Sequence, residues 1–201
     1  MNTLDAIKKR RAVKSFDSGY IMSEQAVNQI LSMARLSPTA YNQQNYRFVV
    51  IKNPELKQKI KQAAHGQQQV TEASLLIVLC ADTKSWQRDS DKYWGNLDQD
   101  LMTSKRQSME RYYQSSELTQ RDEAMRSCAL AAQTMMLTAK AMSLDSCPMI
   151  GFDFETVAAL INLPKDHVIS MMMAIGKAKE LPKARFPQLP DEQIIFTDGF
   201  Q

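Results

Sequence analysis

The 201-residue chain has few glycines and only two histidines, and both shortages exclude common kinds of site. Its six glycines stand at positions 19, 66, 95, 151, 176 and 199, so no two are separated by a single residue. The G-x-G-x-x-G fingerprint of dinucleotide-binding folds is therefore absent, and so is the G-x-x-x-x-G-K phosphate loop. A phosphorylated ligand would have to be held largely by cationic side chains. With two histidines and no C-x-x-C pair, the sequence also predicts no metal site.

Cysteine usage and the lack of long apolar runs indicate where the protein works. Cys80, Cys128 and Cys147 are odd in number and irregularly spaced, which argues against a disulfide framework. No run approaches the eighteen or so apolar residues of a membrane span, and the N-terminus lacks the apolar segment of a signal peptide. We therefore expect a cytoplasmic protein with no membrane association.

Charge and composition are those of an ordinary globular protein. The net charge is +3, with 44% hydrophobic and 23% charged residues. No long basic run or basic stripe with interleaved aromatics occurs, so we expect no nucleic-acid partner. A chain of this length can bury one sizeable core, and we expect residues 1–201 to form a single domain.

Helical and strand patterns alternate along the chain, which predicts an α+β fold with helices flanking a central sheet. Strands are predicted at Tyr46–Lys52, Ser74–Ala81 and Val168–Gly176. The continuous apolar run of Ser74–Ala81 is typical of a strand buried on both faces. The predicted helices are one capped by Asn2 or Thr3, one capped by Ser23, Glu55–Ala64, Glu123–Leu144, and a short one from the cap Asp153 to Ile161.

Two stretches give weaker signals. Residues 86–120 are polar with scattered aromatics, and we interpret them as helical and mobile. The last stretch, residues 180–201, contains three prolines and ends in EQIIFT, which predicts a strand at residues 192–197. Such a proline-broken tail has no evident place in its own core, and we expect it to extend onto a partner subunit.

Two basic clusters lie far apart in the sequence. Arg10, Arg11 and Lys14 follow the first predicted helix, where the helix dipole favours cations. Lys183 and Arg185 lie near the C-terminus, where a solvated loop is the structural interpretation. Two such segments together favour a phosphate site, because guanidinium groups match phosphate bidentately and a second segment fixes its position.

Two further segments are rich in turn-forming residues. SPTAYNQQNYRF spans Ser37–Phe48, and CPMIGF spans Cys147–Phe152. Alone, the first is interpreted as a turn before a strand and the second as a hairpin or strand-to-helix turn. Both also offer backbone donors, and the first adds side-chain amides, as a polar heterocyclic ligand requires.

In this order and spacing, the segments KKRRAVKSFD, SPTAYNQQNYRF, CPMIGF and LPKARFPQ resemble the nitroreductase family of FMN enzymes. The resemblance covers nearly the whole chain and implies the family's mixed, mostly antiparallel sheet. It implies that Arg10, Arg11, Lys183 and Arg185 bind the FMN phosphate. Lys14 corresponds to a lysine at the N1/O2 edge of the flavin, where a cation stabilises the reduced ring. Ala12 departs from the serine of many members, so one hydroxyl donor is missing.

The resemblance also implies which residues contact the flavin ring. SPTAYNQQNYRF is similar to the family's S-P-S-x-x-N-x-Q-P-W-x-F, which contacts the flavin of the partner subunit. CPMIGF is similar to the loop whose backbone N–H, one residue before the glycine, donates to flavin N5. The position before this glycine is Ile150 here and Glu in several members. The implied ring residues are Pro38, Thr39, Ala40, Asn42 and Gln44, then Pro148, Met149, Ile150 and Gly151, and, by a looser match within GQQQVTEAS, Gln67 and Gln69.

The function that the resemblance implies is ping-pong reduction of nitroaromatics, quinones or similar small acceptors, with NADH or NADPH as donor. The flavin carries the hydride, so no catalytic side chain is expected. The flavin site would be shared across a homodimer. Tyr112 or Tyr113 could cover the ring as a gate, or both could be surface aromatics. The alternatives are another flavin chemistry (dehalogenation, aldehyde or enoate reduction), flavin binding without turnover, and a cofactor-free interaction domain.

Overall fold

A four-stranded sheet forms the centre of the protein in the computed structural model, which describes residues 1–88, 91–95 and 97–200. The strands lie in the order β1-β2-β4-β3, and every neighbouring pair is antiparallel. The predicted α+β fold with a mostly antiparallel sheet is confirmed. The strands are β1 (Tyr46–Ile51), β2 (Leu75–Asp82), β3 (Asp145–Met149) and β4 (His167–Gly176).

Helices cover both faces of this sheet. Each of the longer ones begins at a side-chain cap, as at Ser23, whose hydroxyl accepts from the Ala26 N–H, and at Asn53, whose side chain accepts from two N–H groups. The α-helices in the described ranges are α1 (Thr3–Lys9), α2 (Glu24–Ala34), α3 (Pro54–Ala63), α4 (Gln69–Glu72), α5 (Gln99–Gln114), α6 (Glu117–Ala141) and α7 (Phe154–Leu160).

The core follows from the two-residue period of the central strands. All eight residues of β2 are buried, as its continuous apolar sequence predicts. Its even-numbered residues from Leu76 to Cys80 face one hydrophobic cluster, which α3 and α7 complete. Its odd-numbered residues from Leu75 to Ala81 face a second cluster, which α2 and α6 complete. The sheet is therefore sandwiched between two helical layers.

The central helix α6 extends further than predicted at its N-terminal end. It begins at Glu117 because the Ser116 side chain accepts from the Thr119 N–H, and it ends at Ala141. Ser143, with φ of 61°, then turns the chain away. The prediction of Glu123–Leu144 located the apolar part, whereas the polar first two turns gave no periodic signal. None of the described helices is both long and apolar enough to cross a membrane.

Two strand assignments differ from the sequence prediction. β3 was not predicted as a strand, because it is short and contains Pro148, which is tolerated here at an edge of the sheet. The predicted strand at residues 192–197 is wrong. That segment contains only a 3-10 turn, Asp191–Gln193, and its side chains are exposed with no neighbouring strand among the described residues. A strand requires a partner edge, which this chain does not offer there.

The close packing at Gly176 provides a stability test. A Cβ at this position would lie 3.1 Å from Phe16 Cδ1 and 3.2 Å from the Ser74 backbone N. Gly176→Ala should therefore lower the free energy of unfolding by roughly 1–3 kcal/mol, because a packed core must shift. Gly199→Ala is the matched control, since nothing lies within 4 Å of its Cβ position. Urea unfolding that gives equal stabilities for both variants would contradict this packing.

Candidate functional site

The segment that follows α1 is fastened to the edge of the sheet. Ala12 forms a parallel β-bridge with Ser146 of β3, and the Val13 N–H donates to the Ser146 carbonyl at 3.0 Å. Phe16, which is buried, forms an antiparallel bridge with Ala178 just beyond β4. The two basic clusters, 169 or more residues apart in the sequence, are therefore brought side by side.

A cavity of about 530 Å³ lies between these two segments. Such a volume is within the usual range of small-molecule sites. Both basic clusters contribute to its wall, as the resemblance implied. Its lining residues are Arg10, Arg11, Ala12, Val13, Lys14, Ser15, Glu180, Leu181, Pro182, Lys183, Ala184, Arg185 and Phe186.

The charges around this cavity are unbalanced. Five cationic side chains line it, and Glu180 is the one carboxylate among the lining residues. The pKa of Arg10 is lowered from its ordinary value, first by burial and then by the neighbouring charges of Arg185 and Arg11. Like charges held this close repel each other, so an anion bound among them would be stabilised by several cations at once.

Two of the five cations already have hydrogen-bond partners in the chain. Arg11 Nη1 donates to the carbonyls of Lys8 (2.7 Å) and Arg10 (2.9 Å). Arg185 Nη2 donates to the carbonyls of Ile7 (3.3 Å) and Arg10 (3.1 Å). Both guanidinium groups thus satisfy carbonyls at the end of α1, as the structural interpretation of a basic helix end predicts.

The other three cations are available to a ligand. Across the described ranges, the side chains of Arg10, Lys14 and Lys183 make no hydrogen bond or ion pair. Lys14 lies close enough to Cys147 to lower the pKa of its thiol, although burial is the larger influence and raises it overall. The Lys14 ammonium therefore lies near Cys147 of β3, the strand from which the next loop leaves.

That loop offers two unpaired backbone donors. It leaves the sheet after Met149 and reaches α7 by way of Ile150 and Gly151, so the predicted strand-to-helix turn is confirmed. The N–H groups of Ile150 and Gly151 have no acceptor in the part of the chain that the structure describes. The Gln67 side chain donates to the Gly151 carbonyl at 2.7 Å, and Gln69 Nε2 donates to Gln67 Oε1 at 2.8 Å. The Gln67–Gln69 segment therefore adjoins the donor loop.

The fourth predicted segment lies elsewhere. The Ser37 hydroxyl contacts the Leu130 carbonyl and Thr134 Oγ1 of α6, and a separate cavity of about 560 Å³ begins beside it. A short 3-10 turn, Ala40–Asn42, follows, and the Gln44 N–H donates to Thr39 Oγ1 at 2.9 Å. This second cavity is lined by Ser32, Arg35, Leu36, Ser37, Pro38, Asn42 and Gln44.

The backbone of this amide loop, residues 37–45, is strained. Tyr41, Asn42 and Gln44 have φ of 54°, 54° and 44°, the left-handed region that residues other than glycine seldom adopt. Tertiary hydrogen bonds hold it there, because Asn42 Nδ2 donates to the Tyr93 carbonyl and Trp94 Nε1 donates to the Tyr41 carbonyl. Strain of this kind is retained where a loop must present its groups in one arrangement.

The amide loop and the cationic cavity lie near diagonally opposite corners of the sheet. β1 and β3 are the two edge strands, three spacings apart, or about 14 Å at 4.8 Å each. Positions along the two edge strands can be compared through their partners on β4. Ser146 of β3 pairs with Ile175 of β4. Tyr46 of β1 pairs with Ala81 of β2, which pairs with Val168 of β4. Those levels differ by seven residues, about 23 Å at 3.3 Å per residue. The loop with the proposed ring donors leaves β3 after Met149, which is level with Met172, four residues or about 13 Å from the level of Tyr46. With about 14 Å across the sheet, the starting points of this loop and of the amide loop are about 19 Å apart. Groups that touch opposite faces of one aromatic ring lie only about 7–8 Å apart, so one chain does not bring both loops to the same ring.

The two candidate gate tyrosines have different environments. Tyr113 is 2% exposed and stacks on Trp86 at 6.1 Å between ring centroids, so it is neither a gate nor a surface aromatic. Tyr112 is 38% exposed, and its hydroxyl donates to Glu123 Oε1 at 2.8 Å. That hydrogen bond is the main reason that the pKa of Tyr112 is raised. The stretch interpreted as mobile contains this aromatic cluster and α5, although residues 89, 90 and 96 within it lie outside the described ranges.

Sequence reasoning missed two charged residues that line the cavities. Arg35 is the one charged residue that lines the second cavity, and Glu180 is the single acid of the first. Arg35 stands two residues before the SPTAYNQ motif, so charge next to the motif was the available signal. Glu180 could not be recognised, because only the fold brings it beside Arg10.

One side-chain group has the composition of a metal site but a different role. Asp82, Asp166 and His167 present ligand atoms within 4.8 Å of one another. Arg47 and Arg88 form ion pairs with the buried Asp82 carboxylate at 3.3 and 3.2 Å, and Arg88 also pairs with Asp166. Two guanidinium groups in this position repel a cation, so the cluster is a structural ion-pair network.

Comparison with known proteins gives the family. A model of the nitroreductase family matches residues 7–177. The chain belongs to the nitroreductase family. It is 42% identical to protein DrgA of Synechocystis sp. over 180 residues, covering 90% of this chain and 86% of DrgA. It is 33% identical to MhqN of Bacillus subtilis, which is assigned as an NAD(P)H nitroreductase, covering 86% and 87% of the two chains.

A solved structure gives the same family fold. A protein of Exiguobacterium sibiricum that is assigned as a nitroreductase and was solved with FMN superposes with a TM-score of 0.88. The two chains are 25% identical, with 98% of each covered. This nitroreductase-family chain is therefore an oxidoreductase in fold and sequence, and its α+β architecture is the one that the sequence motifs implied.

Proposed function

We propose that residues 1–201 act as one FMN-binding domain that transfers electrons from NADH or NADPH to small acceptors such as nitroaromatics or quinones. The cationic cavity carries this proposal, because five cations and one carboxylate surround a space of about 530 Å³. A phosphate dianion is the ligand that such a charge distribution favours. The FMN bound to the E. sibiricum relative and the NAD(P)H in the assignment of MhqN support the choice of cofactor and donor.

The residues present fit FMN. Arg10 and Lys183, which have no partner among the described residues, would hold the phosphate, and Arg11 and Arg185 would add charge from the end of α1. Lys14 would supply a cation at the N1/O2 edge of the ring, where negative charge develops on reduction. The free N–H groups of Ile150 and Gly151 are donors for the ring. Ala12 contributes backbone only, so the hydroxyl donor of many family members has no replacement here.

FMN, when bound, would supply the hydride chemistry, with NAD(P)H as the hydride donor and the small acceptor as the second substrate of a separate half-reaction. The chain's contribution is position and charge. The cations fix one end of the cofactor, and the backbone donors orient the other. No described side chain near the donor loop forms a nucleophile–base pair, and hydride transfer to and from N5 requires none.

We further propose a homodimer in which the amide loop of one subunit, with Pro38, Asn42 and Gln44, completes the site of the other. The separation of the two candidate cavities within a chain supports this arrangement. The tail supports it too, since large apolar side chains are exposed along its whole length. These are Leu181, Phe186, Leu189, Ile194, Ile195, Phe196 and Phe200. A soluble monomer rarely exposes so many, and a partner subunit would cover them.

The proposed setting is the cytoplasm, with a small-molecule acceptor as the second substrate. Cys80, Cys128 and Cys147 are buried free thiols, which agrees with a reducing compartment. Burial raises the pKa of the Cys80 and Cys128 thiols to about 12, so neither is reactive at neutral pH.

An absorption spectrum tests the function directly. The purified protein should show flavin bands that bleach when NADH or NADPH is added without oxygen, and adding a quinone should restore them. A colourless protein that takes up no added FMN would exclude the proposed cofactor. A yellow protein that neither nicotinamide bleaches would exclude NAD(P)H as the donor.

Arg10→Ala tests the phosphate assignment. Loss of one charge-assisted contact should cost roughly 1.5–3 kcal/mol, or about 10- to 150-fold in FMN affinity. Lys8→Ala is the control, because Lys8 is exposed at the same helix end but does not line the cavity. Equal FMN dissociation constants for the two variants, measured by fluorescence, would show that Arg10 is not a phosphate ligand.

Subunit mixing tests the shared site. Arg10→Ala in one subunit and a double change, Asn42→Ala and Gln44→Ala, in another should each weaken FMN binding in a pure dimer. Random mixing places half of all sites in heterodimers. In each heterodimer, one of the two sites combines the unchanged Arg10 of one subunit with the unchanged amide loop of the other. Roughly a quarter of wild-type sites should therefore return. No recovery in subunits shown by sedimentation to have exchanged would contradict sharing across a dimer.

A further inference from the structure

The loop between β3 and α7 has little packing of its own. Ile150 is 70% exposed, so its side chain does not anchor the backbone. The Phe152 N–H donates to the Ile150 carbonyl at 3.1 Å, and the Asp153 N–H donates to the Ala63 carbonyl at 2.9 Å. These bonds fix the end of the loop that enters α7. The first of them holds the N–H end of the peptide between Gly151 and Phe152. The carbonyl end of that peptide, the Gly151 carbonyl, needs a contact of its own.

Two glutamine side chains supply that contact through two consecutive hydrogen bonds, called the series below. Gln67 Nε2 donates to the Gly151 carbonyl at 2.7 Å, and Gln67 Oε1 accepts from Gln69 Nε2 at 2.8 Å. Because one end of an amide only donates and the other only accepts, the bond from Gln69 determines which end of Gln67 faces the loop. Gln69 is itself 4% exposed at the start of α4, so the series begins in the core.

We infer that Gln67 and Gln69 are positioning residues that hold the donor loop in one orientation from within the fold, an inference that rests on the proposed function. The Gly151 carbonyl shares its peptide with the Phe152 N–H, which donates to the Ile150 carbonyl. The Ile150 carbonyl in turn shares its peptide with the Gly151 N–H, so the pair holds the Gly151 N–H through these two peptides. The Gly151 N–H is one of the two unpaired donors proposed for the cofactor ring. The expectation that both glutamines also contact the flavin stays a prediction, and it is separable from this role.

The intervening residue gives a matched control. Gln68 is exposed, and its Oε1 accepts from Lys61 Nζ at 2.6 Å, with no bond to the donor loop. Gln68→Ala therefore removes a glutamine from the same segment while leaving the series intact. Gln67→Glu is nearly isosteric and keeps an acceptor for Gln69, but its carboxylate cannot donate to the Gly151 carbonyl.

Hydrogen exchange of the flavin-free protein is the decisive measurement. In Gln67→Glu and Gln69→Ala, the amides of Phe152 and Asp153 should exchange roughly 2- to 12-fold faster, as expected for loss of one neutral hydrogen bond. Gln68→Ala should match the wild type. Circular dichroism and unfolding midpoints identify a variant that has lost its fold, and Gln67→Glu, at a half-buried position, provides the test if Gln69→Ala does not fold.

The series also predicts non-additivity. Because Gln69 acts through Gln67, the double variant Gln67→Ala/Gln69→Ala should exchange at Phe152 and Asp153 no faster than Gln67→Ala alone. Additive effects would mean that Gln69 reaches the loop by another route, and they would overturn the series.

FMN affinity then separates positioning from direct contact. On the inference, the FMN dissociation constant rises in Gln67→Glu and Gln69→Ala in parallel with the exchange rates, and Gln68→Ala leaves it unchanged. Weakened FMN binding with unchanged exchange at Phe152 and Asp153 would assign direct contact and overturn the positioning role. Unchanged exchange with unchanged affinity would overturn it as well. A wild-type chain that binds no FMN defeats the proposed function, while the exchange data still decide the positioning role.

Discussion

The hydrogen bond from the Val13 N–H to the Ser146 carbonyl is the contact on which the candidate site depends. It fastens the segment after α1 to the outer edge of β3, where the sheet has no further strand. This bond, with the bridge between Ala12 and Ser146, holds the segment that carries the arginines against the strand from which the loop leaves. The bridge between Phe16 and Ala178 then brings the second basic cluster to the same place. The site is thus an extension of the sheet edge, and the geometry of the sheet determines the positions of its residues.

Charge concentration is the second constraint. Arg10 lies beside Arg11 and Arg185, and its pKa is lowered by both after burial. Two of these guanidinium groups are partly compensated by carbonyls at the end of α1. This division explains how the chain tolerates so much positive charge without a ligand. It leaves Arg10, Lys14 and Lys183 as the lining cations that have no partner among the described residues.

Most of the sheet and of the helical layers could be predicted from the sequence, because burial imposes periodicity. The run at Ser74–Ala81 and the caps Ser23 and Asp153 were sufficient for β2, α2 and α7. β3 could not be predicted, since a five-residue edge strand with a proline has neither length nor alternation. The residue types of the site were predicted from motifs. The resemblance also implied that the amide loop contacts the flavin of a partner subunit. The places of the two cavities on the sheet were not visible in the sequence, because they depend on the strand order.

The diagonal separation of the amide loop from the cationic cavity has a thermodynamic consequence. On the proposed arrangement, one cofactor binds two chains at once, so cofactor binding and chain association share a single linked equilibrium. Each would then strengthen the other, and cofactor retention would depend on protein concentration. At high dilution the protein would release flavin as its subunits part, whereas saturating flavin would hold the assembly together. Because the two parts of the site lie at different strand edges, the fraction of protein that retains flavin would rise with the concentration of the protein itself.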